Sequence, residues 1–281
     1  MYEPAIKWSG SKRSQAEKLL TFFPNNINIY YEPFCGGCSV LNRLLNSQIM
    51  VEKCICSDIN ADLINLWNCV KNNYMEIINH YSKLWCELNK DNDLDRKKQF
   101  FNTIRKRYNE YRSPLDFMFI MRTTTNGMPR YNNNGEFNNS FHVTRNGIHP
   151  QKLNEILFKW NKILNEHNVE FVCCSYKDIV PVNNRCFIYL DPPYANTKGM
   201  YYGNIDYNEL WNYLRNINCD YMFSFDGKSG KTDNTFEVPA DIYDEHFYIR
   251  NGNSSFKRTV GKDKNAIVYE SLYVKHNIHI N

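Results

Sequence analysis

Four consecutive residues, Asp191-Pro192-Pro193-Tyr194, combine a carboxylate, a turn that no central strand can continue, and an aromatic ring. The set suits a planar substrate carrying an exocyclic amine. Asp191 and the backbone carbonyl of Pro192 can accept the two amine N–H protons while the Tyr194 ring holds the plane. Upstream stands Cys186-Phe187-Ile188-Tyr189-Leu190, a short apolar run that reads as a buried strand. A carboxylate at the C-terminal end of such a strand lies where open α/β sheets bind ligands.

A second set of residues has the form of a nucleotide-binding unit. Ile27-Asn28-Ile29-Tyr30-Tyr31 reads as a strand that feeds the turn Glu32-Pro33-Phe34-Cys35-Gly36-Gly37, and a helix follows over 40–46. A further strand, Cys54-Ile55-Cys56-Ser57-Asp58, ends in an acid about 20 residues beyond the glycines, the spacing at which such units hold ribose hydroxyls. Lys7-Trp8-Ser9-Gly10-Ser11-Lys12 places two ammonium groups around an indole, suited to a ligand with a carboxylate and an aromatic base. The strand Val169-Glu170-Phe171-Val172-Cys173-Cys174 leads to Ser175-Tyr176-Lys177-Asp178, again an acid after a strand end. Cys35, Cys38, Cys54 and Cys56 could supply four thiolates for zinc. The one-residue gap of the second pair instead puts both on one strand face, so buried thiols are the expectation and no metal is assigned.

These stretches resemble one family. Asp191-Pro192-Pro193-Tyr194 resembles the catalytic motif of amino-group DNA methyltransferases, Lys7 to Lys12 their N-terminal segment, and Glu32 to Gly37 their cofactor loop. The order of the parts is that of the Dam-type (alpha group) adenine-N6 enzymes, and the resemblance runs to about residue 275. It implies methyl transfer from S-adenosylmethionine to adenine N6 in a short sequence of duplex DNA, by base flipping and without metal. It further implies that Asp191, Pro192 and Tyr194 are catalytic. By the same resemblance Trp8, Lys12, Glu32, Phe34, Gly36, Asp58, Asp178 and Asp191 face the co-substrate, with Asp58 at the ribose and Asp178 at the adenine amine. Cys38 is a departure, since the family has a second glycine there, and a side chain at that position borders the methionine end.

Residues 122–150 are rich in turns, amides and aromatics. Thr125-Asn126-Gly127-Met128-Pro129-Arg130-Tyr131-Asn132 and the residues to Asn138 carry side chains that read base edges, arginine at guanine and asparagine at adenine. The stretch resembles the recognition hairpin of Dam-type enzymes, which marks Asn126, Met128, Arg130 and Asn132 as DNA contacts. Asn139-Ser140-Phe141-His142 then replaces the Val-Pro-Phe-Gly of enzymes that act at GATC, so the resemblance does not extend to that site. A basic helical run from Arg96 to Arg112 includes Lys106 and Arg107, expected at phosphates.

Positioning these residues calls for a Rossmann-like, doubly wound α/β methyltransferase sheet with a mostly helical target-recognition insertion. The expected division is residues 1–61 and 166–281 for the S-adenosylmethionine-binding catalytic domain and 62–165 for recognition. Helical spacing marks 15–23, 63–88, 96–112, 117–121, 153–165 and 208–216. A Gly/Tyr-rich stretch covers 197–207, residues 221–225 form another strand, and a terminal hairpin has a basic loop at 254–258.

At 281 residues the chain can bury one α/β core and still carry an insertion. A net charge of +4 is too small for a global field, so any nucleic-acid contact must come from local clusters. No apolar run is long enough to cross a bilayer and no signal-peptide core appears, so the expectation is a cytoplasmic, DNA-associated protein, bacterial or phage-encoded. A cognate restriction endonuclease acting separately is an expected partner. Three readings compete: the same chemistry on RNA adenine, glutamine or cytosine-N4 methylation, and a non-catalytic DNA-binding protein that keeps the fold. Asn or Ser more often opens the motif in the second, whereas retention of Asp191, Tyr194 and the glycine loop argues against the third.

Overall fold

The computed structural model describes residues 2–194, 205–229, 232–253 and 267–277. The Gly/Tyr-rich stretch up to residue 204 and the basic loop at 254–258 lie outside them. Among the described residues the strands are β1 (Asn26–Pro33), β2 (Met50–Asp58), β3 (Val169–Cys173), β4 (Phe187–Leu190), β5 (Asp220–Ser229), β6 (Thr232–Asp233), β7 (Glu245–Asn253) and β8 (Ile267–Lys275). They form one sheet in the order β3-β2-β1-β4-β5-β8-β7, with β6 paired to the end of β5. β1 to β5 run parallel; β8 enters antiparallel to both β5 and β7.

Alternation along the strands fills both faces. Tyr30, Phe187, Tyr189, Met222 and Leu272 belong to one buried cluster, whereas Tyr31, Ile188, Leu190, Phe223 and Tyr273 belong to the other. The first face is covered by α1 (Ala16–Leu20), α2 (Ser39–Leu45), α3 (Ala61–Leu88) and α6 (Pro150–Glu166), and the second by α7 (Tyr207–Arg215). β4 is buried along its whole length, as a central parallel strand must be. It therefore stops at the prolines, and the chain leaves the sheet at Asp191.

The insertion grows out of α3. This helix is capped by the Asn60 side chain, which accepts from the Leu63 N–H, and breaks at Asn73. Before the break it packs on the sheet layer: Trp67 stacks on Phe171 at 5.3 Å and tilts against Trp160 at 4.9 Å. Burying a side chain of this size stabilises the fold by about 1.5–3 kcal/mol or more. Beyond the break α3 packs against α5 (Pro114–Thr123), with α4 (Leu94–Tyr111) alongside. As a packing unit the helical part thus begins near residue 73, and α6 belongs with the sheet layer through Trp160 and Trp67.

The chain leaves α5 through a 3-10 turn (Thr125–Gly127) and forms a hairpin that returns through the bridges Tyr131 to Phe137 and Thr124 to Phe141. It is pinned to the catalytic layer by Ser9 N–H donating to the Gly127 carbonyl at 3.2 Å. At the opposite side of the sheet, the β5–β8 register shifts between Phe225 and Lys228. A Cβ on Gly227 would stand 2.3 Å from the Tyr269 carbonyl oxygen, so only glycine lets β8 approach here.

Candidate active site

The ends of β1, β2 and β4 open onto one cavity of about 300 Å³. Trp8 to Lys12, Glu32, Phe34 to Gly37, Asp58 to Asn60 and Asp191 to Tyr194 all line it, so four segments far apart in sequence meet there. The sheet produces this convergence, because β1 lies between β2 and β4 and all three run in one direction.

The turn after β1 is held in an unusual backbone shape. Phe34 (φ 67°), Gly36 (φ 46°) and Cys38 (φ 52°) all adopt left-handed conformations. For a residue with a side chain each such conformation costs about 1–2 kcal/mol, and such strain clusters at functional sites. The shape is fixed by Cys35 N–H to the Ser57 carbonyl at 2.9 Å and Trp67 Nε1 to the Gly36 carbonyl at 2.9 Å. Trp8 lies directly on the glycines: a Cβ on Gly36 would be 2.9 Å from its Nε1. Phe34 stacks on Tyr176 with centroids 5.3 Å apart. Cys38 is wholly buried and does not line the cavity, so its thiol turns into the core rather than into the cavity.

Asp58 accepts from Asn60 N–H at 3.0 Å and Gly36 N–H at 3.3 Å, and burial raises its carboxyl above the ordinary range. Glu32 is buried at the cavity wall and accepts from the Tyr30 hydroxyl at 2.8 Å and the Leu41 N–H at 3.0 Å. Burial pushes its carboxyl up to about 8, against the pull of those two donors, so Glu32 ties β1 to α2 as a largely neutral group near pH 7. Asp191 is pushed up to about 6 by burial; the Lys12 ammonium, 2.8 Å from its Oδ1, opposes the rise, and Glu270 adds to it. Lys12 also sits 4.9 Å from the centroid of the Tyr194 ring, and Tyr194 meets Phe225 edge-on at 5.9 Å.

Asp178 is placed differently from the expectation. It is exposed and outside the cavity wall, and its Oδ2 accepts from Ser175 N–H at 2.9 Å in a capping box. Ser175, Tyr176 and Lys177 form that part of the wall instead. Lys12 meets two carboxylates of the protein itself, Asp191 and Glu270. Glu270 had no motif to mark it; it comes to the cavity only because β8 pairs with β5.

The four cysteines Cys35, Cys38, Cys54 and Cys56 are buried free thiols, and burial raises all of them, Cys35 to about 12. Among the described residues no three His, Cys, Asp or Glu side chains gather as metal ligands.

In the hairpin, Pro129 reaches the main cavity and Arg130 next to it is exposed. Among the described residues the Arg130 guanidinium has no hydrogen-bond or ion-pair partner. Asn126 is exposed at φ 59° and Met128 is half-buried. Asn132 is engaged in its own turn: its Oδ1 accepts from Asn134 N–H at 3.0 Å and Glu136 N–H at 2.9 Å, and its Nδ2 donates to Glu136. On α4, Lys106 is exposed beside Asn102, Arg105 and Asn109. Arg107 is committed elsewhere, since its Nε donates to Asp116 Oδ2 at 2.7 Å and joins α4 to α5. Arg105 and Arg112 likewise donate to the Asn139 and Gly135 carbonyls, bracing the hairpin from beneath.

A parallel sheet that β8 enters antiparallel near one edge, a glycine turn after β1 and an acid at the end of β2 define a Rossmann-like methyltransferase fold. The family model of the D12 class N6 adenine-specific DNA methyltransferases matches residues 8–230, and the chain belongs to that family. Type II methyltransferase M.MjaIII of Methanocaldococcus jannaschii is 32% identical over 206 residues, which cover 68% of this chain and 69% of that protein. A DNA adenine methylase of Haemophilus influenzae is 30% identical over 69% of this chain and 64% of its own length. Type II methyltransferase M.FokI of Planomicrobium okeanokoites is 29% identical over 75% of this chain, which spans only 32% of that longer protein.

Proposed function

We propose that this chain transfers a methyl group from S-adenosylmethionine to N6 of adenine within a short sequence of duplex DNA. The observation that carries the reading is the single cavity shared by Asp191, Tyr194 and the Gly36–Asp58 cradle. Its residues fit the co-substrate. Phe34 and Tyr176 offer an aromatic surface, Asp58 a shielded carboxylate at a strand end, and Gly36 and Gly37 a backbone without side chains. When bound, S-adenosylmethionine supplies an electrophilic sulfonium methyl.

The remaining chemistry belongs to the protein. An aromatic amine is a poor nucleophile because its lone pair is delocalised into the ring. Asp191 and the Pro192 carbonyl accept its two N–H protons, which favours a pyramidal nitrogen with its lone pair directed outward. One proton leaves the nitrogen once the new N–C bond forms, to Asp191 or to water. Tyr194 stacks on the base, and a base paired within a duplex cannot reach a cavity at the end of a sheet, so the adenine leaves the stack first. The ionised carboxylate is the stronger acceptor, and Lys12 favours that form.

Arg130, exposed beside the cavity through Pro129, is the proposed reader of a base edge, with Asn126 and Met128 on the same loop. Lys106 is the proposed phosphate contact, and the engagement of Asn132 and Arg107 within the protein makes them supports of the surface. The names of two relatives, both Type II methyltransferases, support a restriction-modification setting with an endonuclease acting separately. Transfer of a labelled methyl to duplex DNA and to RNA of the same sequence, followed by nucleoside analysis, tests the reading. N6-methyldeoxyadenosine from the duplex is expected; label confined to RNA, or to cytosine, would overturn it.

A further inference from the structure

Lys12 is an ammonium almost wholly withdrawn from water, 6% exposed, and two carboxylates share it. Its Nζ lies 2.8 Å from Asp191 Oδ1, 3.4 Å from Glu270 Oε2 and 4.9 Å from the Tyr194 ring centroid. We propose that Glu270 is a positioning residue of the transfer reaction: it fixes Lys12 between Asp191 and Tyr194 and so holds the acceptor carboxylate and the stacking ring in register. The inference rests on the reaction proposed above and adds a residue to it.

Three observations support it. Glu270 is itself held on both sides, because Oε1 accepts from Asn251 Nδ2 on β7 while Oε2 faces Lys12. Its strand is brought close by the β5–β8 irregularity at Gly227, where a Cβ would strike the Tyr269 carbonyl, one residue before Glu270. Finally, lysine is a point charge on a flexible stem, which a single carboxylate would leave free to swing. With partners on two sides the ammonium stays over the Tyr194 ring.

Glu270 therefore acts on Asp191 in two opposed ways. Its contact keeps the Lys12 charge beside Asp191, which favours the ionised form, while its own negative charge disfavours that form. Among the described residues the other groups facing Asp191 are the Tyr189 and Tyr194 hydroxyls, kept neutral by burial, and Glu32, whose carboxyl burial pushes up to about 8. Replacing Glu270 with glutamine keeps the shape and an acceptor oxygen but deletes the charge. Replacing it with alanine deletes the contact as well.

The test uses the full chain, with Glu270→Gln and Glu270→Ala, urea unfolding to establish that each is folded, and two readouts. The first is a carbon-detected NMR titration of the Asp191 carboxyl, which needs no turnover. In Glu270→Gln its midpoint should fall by roughly half a unit to one unit, with the acid limb of kcat moving alongside. The second is the split between kcat and co-substrate affinity. In Glu270→Ala kcat should drop on the order of 10- to 100-fold while the Kd for S-adenosylmethionine stays within about twofold. An unchanged Asp191 midpoint in the glutamine variant overturns the proposal, as does full kcat in folded Glu270→Ala. Should wild-type protein transfer no methyl to adenine, the reaction assignment fails, and the carboxyl titration alone still decides whether Glu270 governs Asp191.

Discussion

Gly36→Ala perturbs the cradle at its tightest point. At φ 46° an alanine costs about 1–2 kcal/mol in backbone strain. Its Cβ would stand 2.9 Å from Trp8 Nε1 and 3.0 Å from Trp8 Cδ1. The indole has little room to retreat, since a Cβ at Gly37 already measures 3.1 Å from Trp8 Cβ; overpacking of this kind adds about 1–3 kcal/mol. If the loop holds its shape, unfolding stability falls by about 2–5 kcal/mol. If it relaxes instead, Gly36 N–H leaves Asp58 and Trp67 loses the Gly36 carbonyl, so the loss passes into co-substrate affinity at about 1.4 kcal/mol per tenfold. Gly135→Ala is the internal control. It too has a positive φ, 74°, but nothing within 4 Å of its Cβ, so only the backbone cost of about 1 kcal/mol remains. Urea unfolding and calorimetric titration with S-adenosylmethionine compare the two. Equal stability losses, together with wild-type affinity in Gly36→Ala, would refute the argument that Trp8 and the left-handed turn form one unit.

Other outcomes follow from the same geometry. Because burial pushes Asp191 up to about 6 and only its ionised form can both accept strongly and take the amine proton, kcat should be level near pH 8 and fall close to tenfold per unit below about pH 6; a profile flat to pH 5 would contradict this. Glu32 has a folded-state pKa raised to about 8, so its favourable contribution is present below its unfolded value and is lost as pH rises through 8. Glu32→Gln should therefore gain stability relative to wild type between pH 6 and pH 9, read as a difference in urea midpoint; no pH dependence in that difference would argue against a buried, protonated Glu32. Arg130→Ala should cost about 1–3 kcal/mol at one base position and raise methylation of near-cognate sites, whereas Lys106→Ala should weaken all sequences alike and lower the salt slope by roughly one. An unchanged site preference in Arg130→Ala would move the search for the reader to residues 139–147.

Local signals made much of the catalytic half legible. The strands β1, β2 and β4 each contain a short apolar stretch ended by a glycine turn, an acid or a proline pair, and each of those endings reappears at the cavity. Ser175 to Asp178 carried two signals at once, because Ser-x-x-Asp is also a capping box, and Asp178 Oδ2 makes that cap in the structure. Glu270 could not be found locally: it is one acid in an alternating strand, and its importance arises only when β8 pairs with β5. Cys38 reads as an obstruction only until its side chain is seen turned into the core. Arg107 and Asn132 show the limit of composition, since a basic helix and an amide-rich loop supply residues of the right type whose partners lie inside the protein. No helix among the described residues is long and apolar enough to cross a membrane.

The central claim is that Asp191 prepares an adenine amine for methylation in DNA. Its most direct test is to express the full chain and Asp191→Ala in a host that lacks adenine methylation, and to map modified bases at single-base resolution. The account predicts N6-methyladenine at one short recurring sequence with wild-type protein. It predicts none above background with Asp191→Ala, whose co-substrate affinity should fall far less than its rate, by at least about 100-fold in transfer. Persisting adenine methylation in the variant, or modification of a base other than adenine by the wild type, would contradict it.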